Sequence, residues 1–570
     1  MMTGIGGYLA LASCCRQLAF ASGTANSVVV VPSSPPSNAA PPILEAFISY
    51  SIEFVFFPDF AGSPSSPNTF SNNLLNNLGN LTGTKPYIRV GGNTQDYALY
   101  NATLLSAPVN GSYDPSRSPD YPTTISIGPS FFDSYATFPD TKFIHGFNLG
   151  LGGNTSHPEG WQTLLDTVPL ACKALGSGGG GGEGKLLWWE YGNEPDLYST
   201  SAQGPVRPSG WDEGTFVEQW VNGTRAIRGQ LERYCPEMLE GGRYGYLAPS
   251  FAGTNNRLKP VVAWREGLNR DGDVRIFSSH NYIGGATQPG ITLQNTLLNH
   301  TKTRLSISSQ VALLTDLTTT NPPLLPKDIP FILGETNSLY NQGKPGLSNS
   351  FGAALWNLDF NLYCAAVGIR RVHMHMGTDY RYAAWQPIST NKTSIGTKPP
   401  YYGQVAAAAV IGRVGSGSEN GTRGEVRVVH LELEGELEAA YAVFGGGGGR
   451  LERIAVVNMR AYNYTVNGTT AILNPEKRQS RIYRFQVPGY CGSREKVDVK
   501  RLWANGSDAI TGVTWDGWSY NWELDEGKPV RLRNVTVGEA VEVVEDGRGE
   551  GVVSVEVPDS SAAVLEFGGK

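Results

Sequence analysis

Eight short apolar runs recur between about residues 45 and 380, each followed by residues of helical spacing or loop composition. They occupy residues 47–53, 87–92, 143–150, 186–194, 246–253, 276–282, 330–336 and 371–377. Near-continuous apolar runs are what parallel strands covered on both faces require. Between them, residues 215–231 and 352–367 carry apolar positions at helical spacing. Eight such βα units in about 340 residues predict an α/β fold, a (β/α)8 TIM barrel with insertions. An open doubly wound sheet is the competing topology. Against it, no G-x-G-x-x-G follows the first run, and the chain has no P-loop.

The texture changes after about Tyr402. Runs at 425–434, 439–444, 453–458, 481–487, 540–544 and 563–567 read as alternating strands separated by turn-rich spacers. That pattern predicts an antiparallel β-sandwich. The isolated run at residues 27–32 (SVVVVP) is expected to join it as an N-terminal strand. The expected domains are a leader over 1–25, the sandwich's extra strand within 26–44, the catalytic barrel over 45–400 and the sandwich over 401–570. The glycine tracts at 176–184 and 445–449 lack the Lys-Ser/Thr of a phosphate cradle and read as loop insertions.

Composition narrows the function classes. The 570 residues carry a formal net charge of −6, with 17% charged residues and no clustered Lys/Arg run. A nucleic-acid binder driven by bulk electrostatics is excluded. No apolar run reaches the 18 residues a membrane-spanning helix needs, so no membrane partner is expected. The first residues form an imperfect leader ending in Ala19-Phe20-Ala21, with no basic n-region and Arg16 interrupting the apolar stretch. Twelve Asn-X-Ser/Thr sequons, at Asn80, Asn101, Asn110, Asn154, Asn222, Asn299, Asn391, Asn420, Asn463, Asn467, Asn505 and Asn534, point to secretion. Cys172, Cys235, Cys364 and Cys491 lie beyond the leader and allow three pairings, one bridge, or none; no CxxC spacing suggests zinc or redox work. A secreted monomer is expected.

Polar residues concentrate at the C-terminal ends of the runs: Glu53, Asn93, Glu194, His280, Tyr282, Glu335 and His375. Barrel enzymes build their sites there, where the βα loops converge. The fourth run ends Trp189-Glu190-Tyr191-Gly192-Asn193-Glu194-Pro195 and the seventh ends Gly334-Glu335-Thr336-Asn337. Strands four and seven of a barrel face each other across the mouth, so Glu194 and Glu335 can converge although 141 residues separate them. Two carboxyl groups flanking one acetal bond are what glycoside hydrolysis needs. The amide of Asn193 stands beside the first of them, placed for a sugar hydroxyl.

With these residues in order, the chain resembles the retaining barrel glycosidases. More narrowly it resembles the β-glucuronidases of glycoside hydrolase family 79, relatives of heparanase. The likeness is carried by Ile88-Arg89-Val90-Gly91-Gly92-Asn93-Thr94-Gln95-Asp96 and by residues 190–198 (EYGNEPDLY), 334–349 (GETNSLYNQGKPGLSN) and 372–387 (VHMHMGTDYRYAAWQP). It runs from about Glu45 to the C-terminus and is particularly close to fungal members. The resemblance implies Glu194 as acid/base and Glu335 as nucleophile, with Tyr282 hydrogen-bonding the nucleophile and Asn193 holding the 2-hydroxyl. Glu53 and Asn93 are candidates for other ring hydroxyls, and Arg89 for orienting carboxylates within the mouth. A glucuronide brings its own carboxylate, for which neutral phenol donors suit a site already holding two. The resemblance places one at Tyr340 and others in the loop after the eighth strand. There Tyr380 and Tyr382 are both candidates, with Tyr382 favoured.

Weaker features have plainer readings. His373 and His375 share one face of the eighth strand, but no third ligand stands at a recognisable spacing. Hydrogen bonding inside the barrel is expected of them, and no metal or other cofactor. Glu190, deeper in its strand than Glu194, reads as a structural ion-pair partner. Trp188, Trp189 and Trp356 could stack on sugars, although Trp188 and Trp189 suit the core better; Trp385 is the best-placed sugar platform. The expected function is a retaining exo-β-glucuronidase acting on terminal β-linked glucuronic acid, with or without a 4-O-methyl group, of a glycan substrate. The alternatives are an endo-acting heparanase-like glycosidase, disfavoured by the missing basic rim, and a catalytically silent carbohydrate-binding protein on the same scaffold.

Overall fold

A computed structural model describes residues 27–153, 158–176, 184–201, 204–413, 425–446, 449–466, 470–473, 475–489, 495–547 and 549–568. The leader, Cys491, the cores of both glycine tracts, and the sequons at Asn154, Asn420 and Asn467 lie outside them.

All eight expected strands form one closed parallel barrel. With β1 taken as Val28–Val30, they are β2 (Ile48–Glu53), β3 (Ile88–Gly91), β4 (Phe143–Phe147), β5 (Leu186–Tyr191), β6 (Tyr246–Phe251), β7 (Val274–Gly285), β8 (Phe331–Tyr340) and β9 (Val372–Met376). Each pairs with its sequence neighbour, and β9 closes on β2 with His375 opposite Ser51. The outward residues pack under the helices: Tyr50 and Ile52, Ile88 and Val90, Trp189 and Tyr191, Met374 and Met376. The interior is divided along its axis. Ile144, Leu247, Ile276 and Ile332 form an apolar plug toward the strands' N-terminal ends, while Ser51, Glu53, Arg89, Glu190, Ser278, His280 and His375 fill the other end, all buried. Only that polar end opens to chemistry.

The surrounding helices are α1 (Thr69–Thr82), α2 (Pro158–Leu175), α3 (Glu213–Tyr234), α4 (Pro260–Arg265), α5 (His300–Thr318), α6 (Phe351–Ala366) and α7 (Pro399–Ile411). Asn68, Asp212, Asn299 and Ser350 cap four of them by accepting a hydrogen bond from the backbone N–H three residues on. Each such cap stabilises by about 1 kcal/mol. Asn299 is therefore a buried cap, whereas the sequon asparagines 80, 101, 110, 222, 391, 463, 505 and 534 are exposed. A disulfide joins Cys172 in α2 to Cys235 at the end of α3, and Cys364 is a buried free thiol.

The barrel extends beyond the expected boundary at residue 400. Pro399 and Pro400 occupy the first turn of α7, where a missing N–H is harmless. This helix is buried on every side, so its sequence shows no amphipathic stripe and hides its helical character.

The main strands of the C-terminal sheet are β10 (Arg427–Leu431), β11 (Glu438–Gly445), β12 (Arg450–Asn458), β13 (Ser480–Gln486), β14 (Lys496–Trp503), β15 (Glu539–Glu545), β16 (Gly551–Pro558) and β17 (Ser561–Glu566). They pair in the continuous order β1-β13-β16-β15-β14-β17-β12-β11-β10, and β1 lies parallel to β13 as the extra strand. The sheet folds over a core that includes Val31, Phe444, Ile454, Phe485, Val499, Val555 and Leu565. Alternation is clear only where one face meets water, as in β16. In β11, Ala440, Ala442 and Phe444 point into that core, while Ala439, Tyr441 and Val443 pack on the barrel domain. Residues 439–444 therefore do not alternate in polarity: both faces are covered.

The contact between the domains contains a polar knot. Tyr441 donates to Asp359 Oδ1 at 2.6 Å, which also lies 2.9 Å from His300 Nδ1, and His300 Nε2 lies 2.9 Å from His430 Nε2. Tyr441→Phe removes a donor from the fully buried Asp359 carboxylate. It is expected to destabilise the protein by about 1–3 kcal/mol without changing the turnover of folded enzyme, as checked by denaturant unfolding and a steady-state assay.

Candidate active site

Arg89, fully buried on β3, is the centre of the mouth. Its Nε donates to Glu190 Oε2 at 2.8 Å, Nη1 to Glu335 Oε2 at 2.8 Å and to Ser51 Oγ at 2.9 Å, and Nη2 to Asn193 Oδ1 at 2.7 Å. One planar guanidinium thus ties together β2, β3, β8, and β5 with the turn that follows it. Glu190 is the ion-pair partner its depth in the strand suggested, and Ser250 Oγ donates to its other oxygen at 2.5 Å.

Glu194 sits in the turn after β5 with φ 49° and ψ 49°, the left-handed region that a non-glycine residue enters only at a cost. The turn is held from both sides. Asn193 N donates to Asp96 Oδ2 at 2.8 Å, and Glu194 N donates to Ser250 O at 2.9 Å. Asp96 also accepts from Leu149 N, Gly150 N and the Tyr198 hydroxyl, and burial pushes its carboxyl up to about 6 against those donors. Asp196 accepts from Ala252 N and Asn256 Nδ2; burial, and then the nearby Glu194, raise it to about 8.

The carboxyl groups of Glu194 and Glu335 meet across the mouth. One oxygen of each, together with a ring nitrogen of His280, lies within 4.8 Å of the others. Glu335 Oε1 accepts from Tyr282 OH at 2.8 Å, and Glu194 Oε1 lies 2.9 Å from His280 Nδ1. The two environments separate the acids. Burial, followed by the charge of Glu335, raises Glu194 well above the usual carboxylate range. Burial pushes Glu335 up as well, but His375, His280, Arg89 and the Tyr282 hydrogen bond outweigh it and hold Glu335 below that range. Glu194, His280 and Glu335 could span a cation by distance alone. The Arg89 guanidinium 2.8 Å from Glu335 already supplies positive charge there and opposes one.

The other candidate residues divide. Asn93, partly buried, accepts from Asn193 Nδ2 at 3.1 Å and so lines the mouth beside it. Glu53 is 2% exposed. Its Oε1 accepts from Thr94 N and Oγ1, and its Oε2 is met by His375 Nε2 and by Tyr380 OH at 3.2 Å. Both Glu53 oxygens are thus engaged by the protein, and the Tyr380 hydroxyl is engaged with one of them. Gly92, at φ +104°, lies where a Cβ would come 2.7 Å from Glu53 Oε1. Tyr382 stands against Tyr282 with ring centroids 6.2 Å apart, and Tyr340 is 46% exposed at the rim, 6.5 Å from Tyr282. The Tyr340 ring occupies the space that a Cβ on Gly285 would need, which requires glycine there.

Trp385 is not a sugar platform. It is 1% exposed, donates to Ser71 Oγ at 2.9 Å and packs edge-on against Tyr50 and Phe60. Trp189 and Trp356 are likewise core. His373 is buried with Nδ1 at 3.3 Å from Tyr50 O, so it stays inside the barrel wall. His280, Asp96 and Ser51 were not among the expected site residues. His280 was visible as a strand-end polar residue, but nothing in its neighbours named Glu194 as its partner.

Two facing carboxyl groups at the C-terminal mouth of a parallel eight-stranded barrel are the working parts of a glycoside hydrolase. The profile described as the glycosyl hydrolase family 79 C-terminal beta domain matches residues 440–564. A β-glucuronidase of Neurospora crassa is 55% identical over 562 residues, covering 95% of this chain and 96% of its own. One from Aspergillus niger is 54% identical over 546 residues, covering 95% and 94%. Among solved structures, a 4-O-α-L-rhamnosyl-β-D-glucuronidase from Fusarium oxysporum 12S shares the fold with a TM-score of 0.70 at 24% identity, covering 95% of this chain and 100% of that one. A family 51 α-L-arabinofuranosidase from Bifidobacterium longum shares it with a TM-score of 0.57 at 13% identity, covering 95% and 99%. The chain belongs to glycoside hydrolase family 79.

Arg89→Lys keeps the charge but cannot serve Glu190, Glu335 and Asn193 at once. It is expected to lower kcat/KM by about a hundredfold or more and to destabilise the fold by about 3 kcal/mol, measured by an initial-rate assay and by thermal unfolding.

Proposed function

We propose that the chain is a retaining, exo-acting β-glucuronidase that removes terminal β-linked glucuronic acid from a glycan by double displacement. The observation that carries this reading is the Glu194–Glu335 pair, with one carboxyl oxygen of each within 4.8 Å of the other's. Retaining pairs stand about 5–5.5 Å apart, and inverting pairs need about 6.5 Å or more to admit water. Identity of 54–55% to two β-glucuronidases along nearly the whole chain supports the substrate class.

In this mechanism Glu335, held ionised, attacks the anomeric carbon while Glu194 delivers its proton to the departing oxygen. Glu335 is then a neutral ester, the charge that raised Glu194 is gone, and Glu194 takes a proton from water for the second displacement. Asn193, oriented by Arg89 and Asn93, presents its amide to the sugar 2-hydroxyl. Tyr382 and Tyr340 are the phenols left to meet the sugar carboxylate, since Tyr380 is engaged with Glu53. The exo reading is supported by a bridge between the loops that follow β9 and β3, the two strands flanking β2. Arg381, from the loop after β9, donates Nη1 and Nη2 to the Asp120 oxygens at 2.5 and 3.0 Å, joining that loop to the one after β3.

Hydrolysis of an aryl β-glucuronide is expected to exceed that of the matching β-glucoside and β-xyloside, and to fall by about 10³-fold or more in Glu194→Ala and Glu335→Ala. Equal turnover of the three substrates would overturn the substrate class, and full activity in Glu335→Ala the mechanism. The pH profile of kcat/KM is expected to have its acid limb below the usual carboxylate range and its alkaline limb well above it. The first limb is Glu335 gaining a proton, the second Glu194 losing one.

Secretion is part of the same proposal, supported by the Cys172–Cys235 bridge and the exposed sequons. Protein from a secreting eukaryotic host is expected to lose mass on endoglycosidase treatment. Peptide mapping is expected to find Asn299, a buried helix cap, unmodified.

A further inference from the structure

His375 on β9 is a buried imidazole with a carboxylate near each ring nitrogen. Nε2 lies 3.3 Å from Glu53 Oε2, and Nδ1 lies 2.9 Å from Ser51 Oγ and 3.5 Å from Glu335 Oε2. Glu53 is itself immobilised by Thr94 N, Thr94 Oγ1 and the Tyr380 hydroxyl. A continuous polar chain therefore runs from Thr94 and Tyr380 through Glu53 and His375 to Glu335, crossing from β2 to β9 to β8.

Among the described residues, charged and titratable groups face this imidazole from three neighbouring strands, with His373 on its own strand. Glu53 faces it from β2, Arg89 from β3 and Glu335 from β8. Tyr380 and Tyr382 cover it with ring centroids at 6.0 and 6.2 Å, and Glu194 and His280 lie across the mouth. Three buried carboxyl groups, Glu53, Glu190 and Glu335, thus share this end of the barrel with one guanidinium. Arg89 is shared between two of them and does not touch Glu53. Glu335 must remain ionised within 4.8 Å of a group that must remain protonated.

We propose that His375, locked in place by Glu53, is a positioning residue that carries a second positive charge beside Glu335 and keeps it ionised in the free enzyme. The inference rests on the reading of Glu335 as nucleophile. Burial opposes the charge on His375, but Glu335 and Glu53 outweigh it and raise its pKa above the ordinary imidazole value. The effect on Glu335 is local. Glu194 also feels the His375 charge, but burial and Glu335 dominate its protonation.

The test is the kcat/KM pH profile on an aryl β-glucuronide for wild type, His375→Gln, Glu53→Gln and Glu335→Ala, with thermal melting to verify folding. Removing a cation raises a carboxyl pKa, so His375→Gln is expected to move the acid limb up by about one pH unit. Activity on that limb then falls about tenfold, while the alkaline limb moves less. Glu53→Gln leaves the imidazole in place but takes away its anchor, and is expected to move the acid limb in the same direction by a smaller amount. If His375→Gln does not fold, Glu53→Gln and Tyr380→Phe decide on the same readout. A uniform drop in activity with an unmoved acid limb in the folded variants would overturn the proposal. Full activity in Glu335→Ala would instead overturn the nucleophile assignment, so the two failures are distinguishable.

Discussion

Arg89 is fully buried, and that single circumstance organises the barrel mouth. A guanidinium taken out of solvent must have its donors satisfied, and breaking one of its buried pairs costs about 3–5 kcal/mol. Here Glu190, Glu335, Asn193 and Ser51 satisfy it from four directions. The planar fork fixes where each partner stands, so the nucleophile candidate and the sugar-binding amide are positioned by the same residue. A lysine, with a rotating point charge, could neutralise the site but could not align it.

Two glutamates in one cavity acquire opposite protonation states from their surroundings. Glu335 has two cationic or donating neighbours at hydrogen-bond distance, Arg89 and Tyr282, with His375 just beyond. Among the described residues, the side-chain neighbour of Glu194 at comparable distance is the neutral His280, since burial lowers that imidazole to about 4. The left-handed backbone at Glu194 belongs to the same design. The turn costs on the order of 1–3 kcal/mol in conformational energy, and the bonds to Asp96 and Ser250 O hold it so that the carboxyl group faces β8. Strain, burial and charge all serve the one pair.

Among the described residues the sheet domain contributes none to the contacts at the mouth, yet it shapes how the chain reads. Four of its strands, β10, β11, β12 and β17, stand between two cores and send apolar residues into both. Tyr441, Asp359, His300 and His430 join the domains through a buried polar knot, which needs all its partners to be tolerated. Tertiary contact therefore writes its own pattern into a strand.

The eight barrel strands, their order and the two strand-end glutamates were legible because local rules specify them. A parallel strand buried on both faces is apolar whichever helices cover it, and barrel topology then sets Glu194 opposite Glu335. The extra strand at Val28–Val30 was legible from its run of β-branched valines, although Val28 and Val30 are exposed at the sheet edge. Partnership was not legible. Whether Trp385 stacks on sugar or fills the core depends on α1 and β2, which arrive from more than 300 residues away in sequence. Tyr380 and Tyr382 are two residues apart, and their hydroxyls find different company only because Glu53 lies under one and Tyr282 beside the other. Helix α7 was hidden because a helix buried all round has no polar face to reveal its period. Secondary structure follows from local patterning; the charge state and the company of a buried side chain follow from long-range packing, which no window of the chain contains.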